Sequence, residues 1–146
     1  MRRDPVPERS ERFLRGAARL SEMGGDIADI GEALADIAPD VAVYIGEFAF
    51  GDLYCRPGLS LRERQIATIA ALTTLGDTGR QLRFHTGAAL NTGVTPAEIV
   101  EVVVQMLAFA GSPRVFNAML AVREALADRD LLPVSPGRPA DGPDRS

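Results

Sequence analysis

Hydrophobic residues recur every three to four positions along most of the chain, the spacing that places them on one face of an α-helix. No segment alternates hydrophobic and polar residues convincingly with the period of two that a half-buried strand shows. The pattern therefore predicts an all-α fold, a single-domain bundle of about six or seven helices. The predicted helices cover residues 9–22, 27–37, 41–54, 61–75, 79–92, 96–110 and 113–127.

Capping residues mark where several of these helices begin and end. Ser60–Glu63 (SLRE) and Thr95–Glu98 (TPAE) have the sequence of a capping box, in which a hydroxyl and a carboxylate bond the free amides of the first turn. Further helix N-caps are predicted at Asp26, Asp40 and Ser112. The glycines expected to end helices in a left-handed conformation are Gly76, Gly93 and Gly111.

Two of the predicted helices are too apolar for the surface of a monomer. AEIVEVVVQMLAFAG (97–111) carries Val100 and Val104 outside its main apolar stripe, and in RQIATIAALTTL (64–75) apolar residues go most of the way round. A helix that is hydrophobic all round must be covered on all sides. We therefore expect a homo-oligomer; the alternative is a central helix of a monomeric bundle.

Length and composition are those of one soluble globular domain. The 146 residues are 46% hydrophobic and 25% charged. No apolar run reaches the roughly 18 residues that a membrane span needs, and the charged N-terminus does not resemble a signal peptide, so we expect a cytoplasmic protein without a membrane partner. We expect a flexible N-terminus (1–8), a helical domain (9–132) and a disordered tail rich in proline and glycine (133–146).

The composition also excludes several kinds of chemistry. A net charge of −4 argues against nucleic-acid binding. One cysteine and one histidine exclude an intrachain disulfide, a Cys-x-x-Cys redox pair and a histidine-rich metal site, although carboxylates could still hold a hard cation. All 16 basic residues are arginine, so Schiff-base chemistry has no lysine to use. The sequence has no glycine-rich phosphate-binding loop either. We expect a reaction that needs neither a cofactor nor a metal.

Two titratable residues stand in apolar surroundings. His85 lies in QLRFHTGAALNTG (81–93), where it is either a packed core histidine or a group that titrates near neutral pH. Glu47 shares helical spacing with Val43, Phe50 and Tyr54. A buried carboxylate either pairs with an arginine or raises its pKa, and a raised pKa suits a general acid or base. Both alternatives stay open for each residue.

Arginines and one thiol complete the set of candidate functional residues. Arg56, Arg64 and Arg83 are candidates to hold a substrate carboxylate, which arginine binds in a bidentate manner, although surface placement is the commoner outcome for any single arginine. Cys55 is either a thiolate nucleophile beside Arg56 or an inert buried thiol.

The motifs R-P-G-L, L-R-F-H, A-L-N-x-G-V-T-x-x-E-I and A-G-x-P follow one another in residues 47–76 and 81–126. In this combination the chain resembles the carboxymuconolactone decarboxylases over about residues 9–127. The resemblance implies an all-helical fold shared with the alkylhydroperoxidase D proteins, assembly into trimers or hexamers, and decarboxylation of 4-carboxymuconolactone without a cofactor. It also implies a small carboxylate-bearing substrate.

The resemblance assigns roles to the candidate residues. His85 would donate the proton, or a hydrogen bond to the enolate, and Glu47 would orient His85 or shuttle the proton. Arg56, Arg64 or Arg83 would hold carboxylate. Further candidate substrate contacts are Tyr54, Cys55, Phe109 and Gln105.

The chain departs from the family pattern at three positions. Tyr54 stands where these decarboxylases typically have tryptophan, Phe109 where they often have tyrosine, and Ser112 where they often have phenylalanine. The departures favour a second hypothesis, a cofactor-free tailoring enzyme (isomerase, cyclase or decarboxylase) that acts on a natural-product intermediate. A peroxidase, which would need a Cys-x-x-Cys pair, and a non-catalytic binding protein are the remaining alternatives.

Overall fold

The computed structural model describes residues 9–135, and the chain divides after Leu59 into two compact units. The first contains α1 (Glu11–Glu22), α2 (Ile27–Ala33) and α3 (Asp40–Tyr44), which runs directly into a π-helix (Ile45–Leu53). The described part of the second unit, residues 60–135, contains five α-helices: α4 (Leu61–Leu75), α5 (Gly79–Asn91), α6 (Pro96–Gln105), α7 (Leu107–Ala110) and α8 (Ser112–Ala127).

Residues 9–135 contain no strand, so the predicted all-α class is confirmed. The predicted flexible N-terminus (1–8) lies outside the described residues, as does the predicted tail from residue 136 onward. None of the described helices is both long and apolar enough to cross a membrane.

Both predicted capping boxes form. The Ser60 hydroxyl accepts from the Glu63 amide at 3.2 Å, and the Glu63 carboxylate accepts from the Ser60 amide at 2.7 Å. Thr95 and Glu98 make the corresponding bonds at 3.2 and 2.9 Å. Asp26 also caps its helix, through the Ala28 amide at 2.9 Å. The predicted positive φ is confirmed at Gly76 (73°), Gly93 (94°) and Gly111 (84°).

Two predicted N-caps are wrong. Asp40 is the first residue of α3 and makes no capping bond, because Pro39 occupies the cap position. Ser112 lies inside α8 rather than before it. Gly111 takes the cap position there and its carbonyl oxygen accepts from the Val115 amide at 3.2 Å, so the chain turns from α7 directly into α8.

Three predicted helices have different boundaries. The helix predicted over 27–37 ends at Ala33 and continues as turns, and the helix predicted over 96–110 divides at Met106 into α6 and α7. The helix predicted over 41–54 is α-helical only to Tyr44. From Ile45 the backbone is a π-helix, closed at its end by the Tyr54 amide on the Ala49 carbonyl at 2.9 Å, an i to i−5 bond.

Close packing of glycines joins α1 to the π-helix. A Cβ on Gly16 would overlap the carbonyl oxygen of Gly46, and a Cβ on Gly51 would overlap the carbonyl oxygen of Arg12. Only residues without a side chain allow two helical backbones to approach this closely. Glycines on both elements therefore fix the position of the π-helix within the first unit.

The hydrophobic core of the second unit lies between α4, α5, α6 and α8. Ile69, Ile99 and Val103 are fully buried, with Leu82 and Val122 nearly so. Three polar residues, Gln65, Thr73 and Thr86, are also fully buried. Thr73 satisfies its hydroxyl within α4, where it donates to the Ile69 carbonyl at 2.8 Å.

Apolar side chains are exposed on α6, α7 and α8. Phe109 is 75% exposed and Phe116 66% exposed, although both lie in ordered helices. Smaller exposed fractions are found at Val104, Leu107 and Leu120. Val104 is one of the residues that the sequence pattern places outside the apolar stripe of its helix.

Candidate functional site

His85 lies half-buried on α5 in the second unit, and its ring is hydrogen-bonded to a side chain of α4. Its Nδ1 lies 2.8 Å from Oε1 of Gln65 on α4. The Phe84 ring meets the imidazole edge-on, with centroids 4.9 Å apart. Burial lowers the pKa of His85 from 6.5 to about 4, because a protonated ring at this position would carry its charge away from water. The imidazole is therefore neutral at neutral pH.

Gln65 is a site residue that the sequence analysis missed. Its side chain is fully buried on the face of α4 that also carries Ile69 and Thr73. The spacing of four residues between these positions was the available signal, since it places Gln65 on the core side of the helix. A buried amide needs hydrogen-bond partners, and His85 is one of them.

Glu47 lies on the π-helix in the first unit, with 22% of its side chain exposed. It accepts a short hydrogen bond from the Ser10 hydroxyl and lies 3.7 Å from Nη1 of Arg12. Ser10 is also the N-cap of α1, because its hydroxyl accepts from the Phe13 amide at 3.1 Å. The arginine partner that a structural ion pair would require is therefore present.

Arg12 is shared between two carboxylates, and Asp52 holds it more closely than Glu47 does. Arg12 Nη2 lies 2.6 Å from Asp52, and Arg15 approaches the same carboxylate at 3.3 Å. The hydrogen bond and charge of Arg12 lower the pKa of Asp52, and Asp52 correspondingly raises the pKa of Arg12. Glu47 thus lies at the edge of a charged cluster rather than in a purely apolar stripe.

Tyr54 and Cys55 directly follow the π-helix and are both half-buried. The Tyr54 ring packs against Phe50, with centroids 5.3 Å apart. The Cys55 thiol donates to the Phe50 carbonyl at 3.2 Å. A hydrogen bond with Cys55 also raises the pKa of Arg19. The arginine that contacts the thiol is therefore Arg19 on α1, which the sequence analysis did not consider.

The structure gives the three candidate carboxylate-binding arginines different surroundings. Arg83 is half exposed and forms ion pairs with Glu124 at 3.2 Å and Asp128 at 2.8 Å, so its guanidinium faces α8. Arg64 lies in the first turn of α4, directly before Gln65, and its Nε is buried. Arg56 is exposed and lies between two turns, directly before Pro57 and Gly58.

The remaining predicted contacts, Gln105 and Phe109, are both exposed, as is Ser112. A cavity of about 430 Å³ opens at the far end of α4, where Thr73, Gly76, Leu82 and Arg114 are among its lining residues. It contains neither His85 nor any other predicted site residue. Across residues 9–135, no three His, Cys, Asp or Glu side chains are grouped closely enough to hold a metal ion.

Comparison with known proteins decides the family. The sequence profile of the carboxymuconolactone decarboxylase family matches residues 39–124, a range that includes both Glu47 and His85. The chain belongs to this family. The assignment made from the motifs is therefore confirmed, and with it the prediction of a decarboxylase enzyme at the level of the family.

Two named decarboxylases are among the relatives of this family member. The 4-carboxymuconolactone decarboxylase of Acinetobacter baylyi is 36% identical over 102 residues, covering 70% of this chain and 75% of the relative. Nitrosuccinic acid decarboxylase npaB of Metarhizium robertsii is 33% identical over 85 residues, 58% of each chain. An uncharacterized 15.0 kDa protein of Paracoccus denitrificans is 32% identical over 99 residues, 67% of this chain and 74% of the relative.

Proposed function

We propose that this chain decarboxylates an activated di-acid without a cofactor, and that His85 transfers the proton that replaces the lost carboxylate. One observation supports the proposal above all. The chain's one histidine, His85, hydrogen-bonds the buried amide of Gln65, and both residues lie in the region that matches the decarboxylase family. An imidazole bonded on one side to a rigid helix is oriented, as a proton-transfer group must be.

The chemistry of two acids defines the substrate class. The relatives' names give 4-carboxymuconolactone in one case and nitrosuccinic acid in the other. In both compounds the electrons left by departing carbon dioxide flow onto oxygen, through a vinylogous lactone carbonyl or a nitro group. The substrate is its own electron acceptor, so no cofactor is required. Both compounds also keep a second carboxylate in the product.

The reaction needs three events that the protein can assist. The carbon–carbon bond to the carboxylate breaks, carbon dioxide leaves, and its bonding pair becomes an enolate or nitronate. One proton taken up from solvent then passes to carbon, so that the charges balance. Once protonated, His85 would be a stronger acid than an imidazolium in water, because burial lowers its pKa to about 4, and this favours transfer of the proton to carbon.

The carboxylate that stays in the product needs a cationic partner. Arg64 is our first choice, since it lies directly before Gln65 on α4 and its Nε is buried. Arg56 is the second choice. Arg83 is the weakest, because Glu124 and Asp128 already occupy its guanidinium. Glu47 stays a predicted catalytic residue whose role in orienting or shuttling follows from the family resemblance.

We also propose that the protein is a homo-oligomer, a trimer or hexamer as the family resemblance implies. The exposed phenylalanines Phe109 and Phe116, with Val104, Leu107 and Leu120, support this proposal. Apolar residues gathered on exposed helices favour burial against another surface.

A second candidate substrate class rests on the fungal relative. Because this relative is named for a nitro acid, we infer that a substrate of this chain could use a group other than a lactone as its electron acceptor. The departures at Tyr54, Phe109 and Ser112 fit a substrate of different shape. Decarboxylation within natural-product biosynthesis is therefore the second candidate function.

Carbon dioxide release from the two acids tests both candidates. We expect the purified protein to release carbon dioxide from 4-carboxymuconolactone, and release from nitrosuccinate alone would favour the second candidate. His85→Ala should slow either activity by at least about 10²-fold. Leu90→Met is the matched control, because Leu90 is also a half-buried residue of α5 and the change leaves both the imidazole and the Phe84 ring beside it in place. A folded protein that releases carbon dioxide from neither acid contradicts the proposed substrate class.

A further inference from the structure

The hydrogen bond between His85 and Gln65 indicates which ring nitrogen of the neutral imidazole carries the proton. A neutral imidazole has one N–H donor and one bare nitrogen that accepts. The partner of Nδ1 is the carbonyl oxygen of the Gln65 amide, at 2.8 Å. A carbonyl oxygen only accepts, so Nδ1 must be the donor and Nε2 must be the bare nitrogen.

We propose that Gln65 is a positioning residue that holds His85 in the Nδ1–H tautomer and leaves Nε2 as a proton acceptor toward the substrate. The inference deepens the proposed function and rests on it for the identity of the reaction. It replaces the donor role that the family resemblance implies for the resting histidine, because in this tautomer the resting ring has no free N–H.

The rigidity of Gln65 supports this assignment. The residue is fully buried on α4, between the capping box at Ser60 and the core residue Ile69. Its amide therefore has little freedom to reorient in the folded protein. A buried partner that fixes one nitrogen of a histidine decides which nitrogen faces the reaction.

An amide also affects the imidazole differently from a carboxylate. A carboxylate at Nδ1 would stabilise the imidazolium ion and raise the pKa of the ring. The neutral amide of Gln65 supplies orientation without charge, and burial keeps the ring neutral. Nε2 must therefore first accept a proton, from water or from a hydroxyl or acid group of the substrate. The imidazolium then passes that proton to carbon and returns to the neutral form.

NMR of the imidazole nitrogens tests the tautomer directly. The chain has one histidine, so ¹⁵N labelling gives one pair of ring signals that need no further assignment. Couplings to the two ring carbon-bound protons distinguish Nδ1 from Nε2. At neutral pH and without substrate, we expect the proton on Nδ1 in the intact protein. A proton on Nε2 would overturn the inference, since the amide of Gln65 would then have to donate instead.

Two variants and a control separate positioning from packing. Gln65→Met keeps a side chain of similar length but removes the acceptor, and should shift the ring toward the Nε2–H tautomer. Gln65→Glu should raise the pKa of His85. Thr73→Val is the control, because Thr73 is equally buried on α4 and its hydroxyl bonds only within its own helix. The control should leave the ring signals unchanged.

Turnover adds a readout that distinguishes the two proposals. A wrong histidine tautomer costs a serine protease about 10⁴-fold in kcat, so Gln65→Met should lose at least tenfold with KM little changed. Undiminished kcat in a folded Gln65→Met protein overturns the positioning role. If the wild type shows the Nδ1–H tautomer but turns over neither acid, the proposed reaction fails and the tautomer assignment stands. If Gln65→Met does not fold, the wild-type spectrum and Gln65→Glu still decide the matter.

Discussion

Gly16 of α1 lies against Gly46 of the π-helix so closely that a Cβ on Gly16 would overlap the carbonyl oxygen of Gly46. The backbones of α1 and the π-helix therefore approach each other so closely that Gly16 leaves no room for a side chain. Because Glu47 directly follows Gly46, the same contact determines where that carboxylate lies.

Replacing Gly16 should show how much this contact matters. Alanine is favoured over glycine in a helix by about 1 kcal/mol, but the overlap should outweigh that gain and leave Gly16→Ala less stable by about 1–3 kcal/mol. Urea denaturation measures the difference. Gly31→Ala in α2 is the control, because the nearest atom to its added Cβ is 3.9 Å away, and it should be neutral or stabilising. Equal stability of the two variants would contradict the close packing.

Stability should depend on pH through His85. Its pKa falls from 6.5 to about 4 on folding, so the unfolded chain binds the proton more readily. The contribution of His85 to the unfolding free energy should be fully present above pH 6.5. It should decrease as the pH falls toward 4, by about 3 kcal/mol in total. The pKa values of Asp52, Glu63 and Glu98 are lowered from ordinary values of 3.8 and 4.5, so their contribution to stability is lost at the acid end of this range and below it.

Urea denaturation of the wild type and His85→Gln between pH 4.5 and 7.5 measures this effect. The wild type should lose stability toward acid, and the variant should be nearly flat over the same interval. Parallel slopes would mean that the imidazole is not buried in its neutral form.

Arg64 and Arg83 should differ in their effect on catalysis. Arg64→Gln should raise KM about tenfold or more, since a charged hydrogen bond to substrate contributes about 1.5–3 kcal/mol. Arg83→Gln removes only exposed ion pairs to α8 and should change stability by less than about 1 kcal/mol and KM hardly at all. Steady-state kinetics on the preferred acid measures both, and a larger KM effect at Arg83 would reverse the assignment.

Assembly should depend on the exposed phenylalanines. Phe109→Glu places a charge on a side chain that is 75% exposed in the single chain, so it should not disturb the chain's own fold. Light scattering after size exclusion should show the wild type as an oligomer and the variant as a smaller species. Glu101→Gln, an exposed change on α6, is the control. A monomeric wild type would contradict the proposed assembly.

The sequence predicts α4 to the residue because its boundaries are local. Ser60 and Glu63 satisfy the free amides at one end, and Gly76 supplies the positive φ at the other. The π-helix had no such signal. Its i to i−5 hydrogen bonds occur where Gly46 packs against Gly16 of α1, about 30 positions earlier in the chain. Hydrophobic periodicity is a local pattern and does not show such distant contacts.

The candidate site was predictable in part, for a similar reason. His85 was predictable because it is the only histidine of the chain, lies among apolar residues and is flanked by family motifs. Its partner Gln65 is an ordinary polar residue whose importance depends on which helix packs beside α4. The ion pairs of Arg83 with Glu124 and Asp128 likewise join positions more than 40 residues apart. Tertiary contacts of this kind pair the Arg83 guanidinium with carboxylates, and local sequence does not show them.

Decarboxylation of 4-carboxymuconolactone in heavy water, followed by NMR for the wild type and His85→Ala side by side, tests most directly whether His85 transfers the proton. The wild type should form product with one deuterium on carbon. His85→Ala should be slower by at least about 10²-fold, as expected when a proton-transfer group is removed. Turnover by folded His85→Ala at the wild-type rate would contradict the role of His85 in proton transfer.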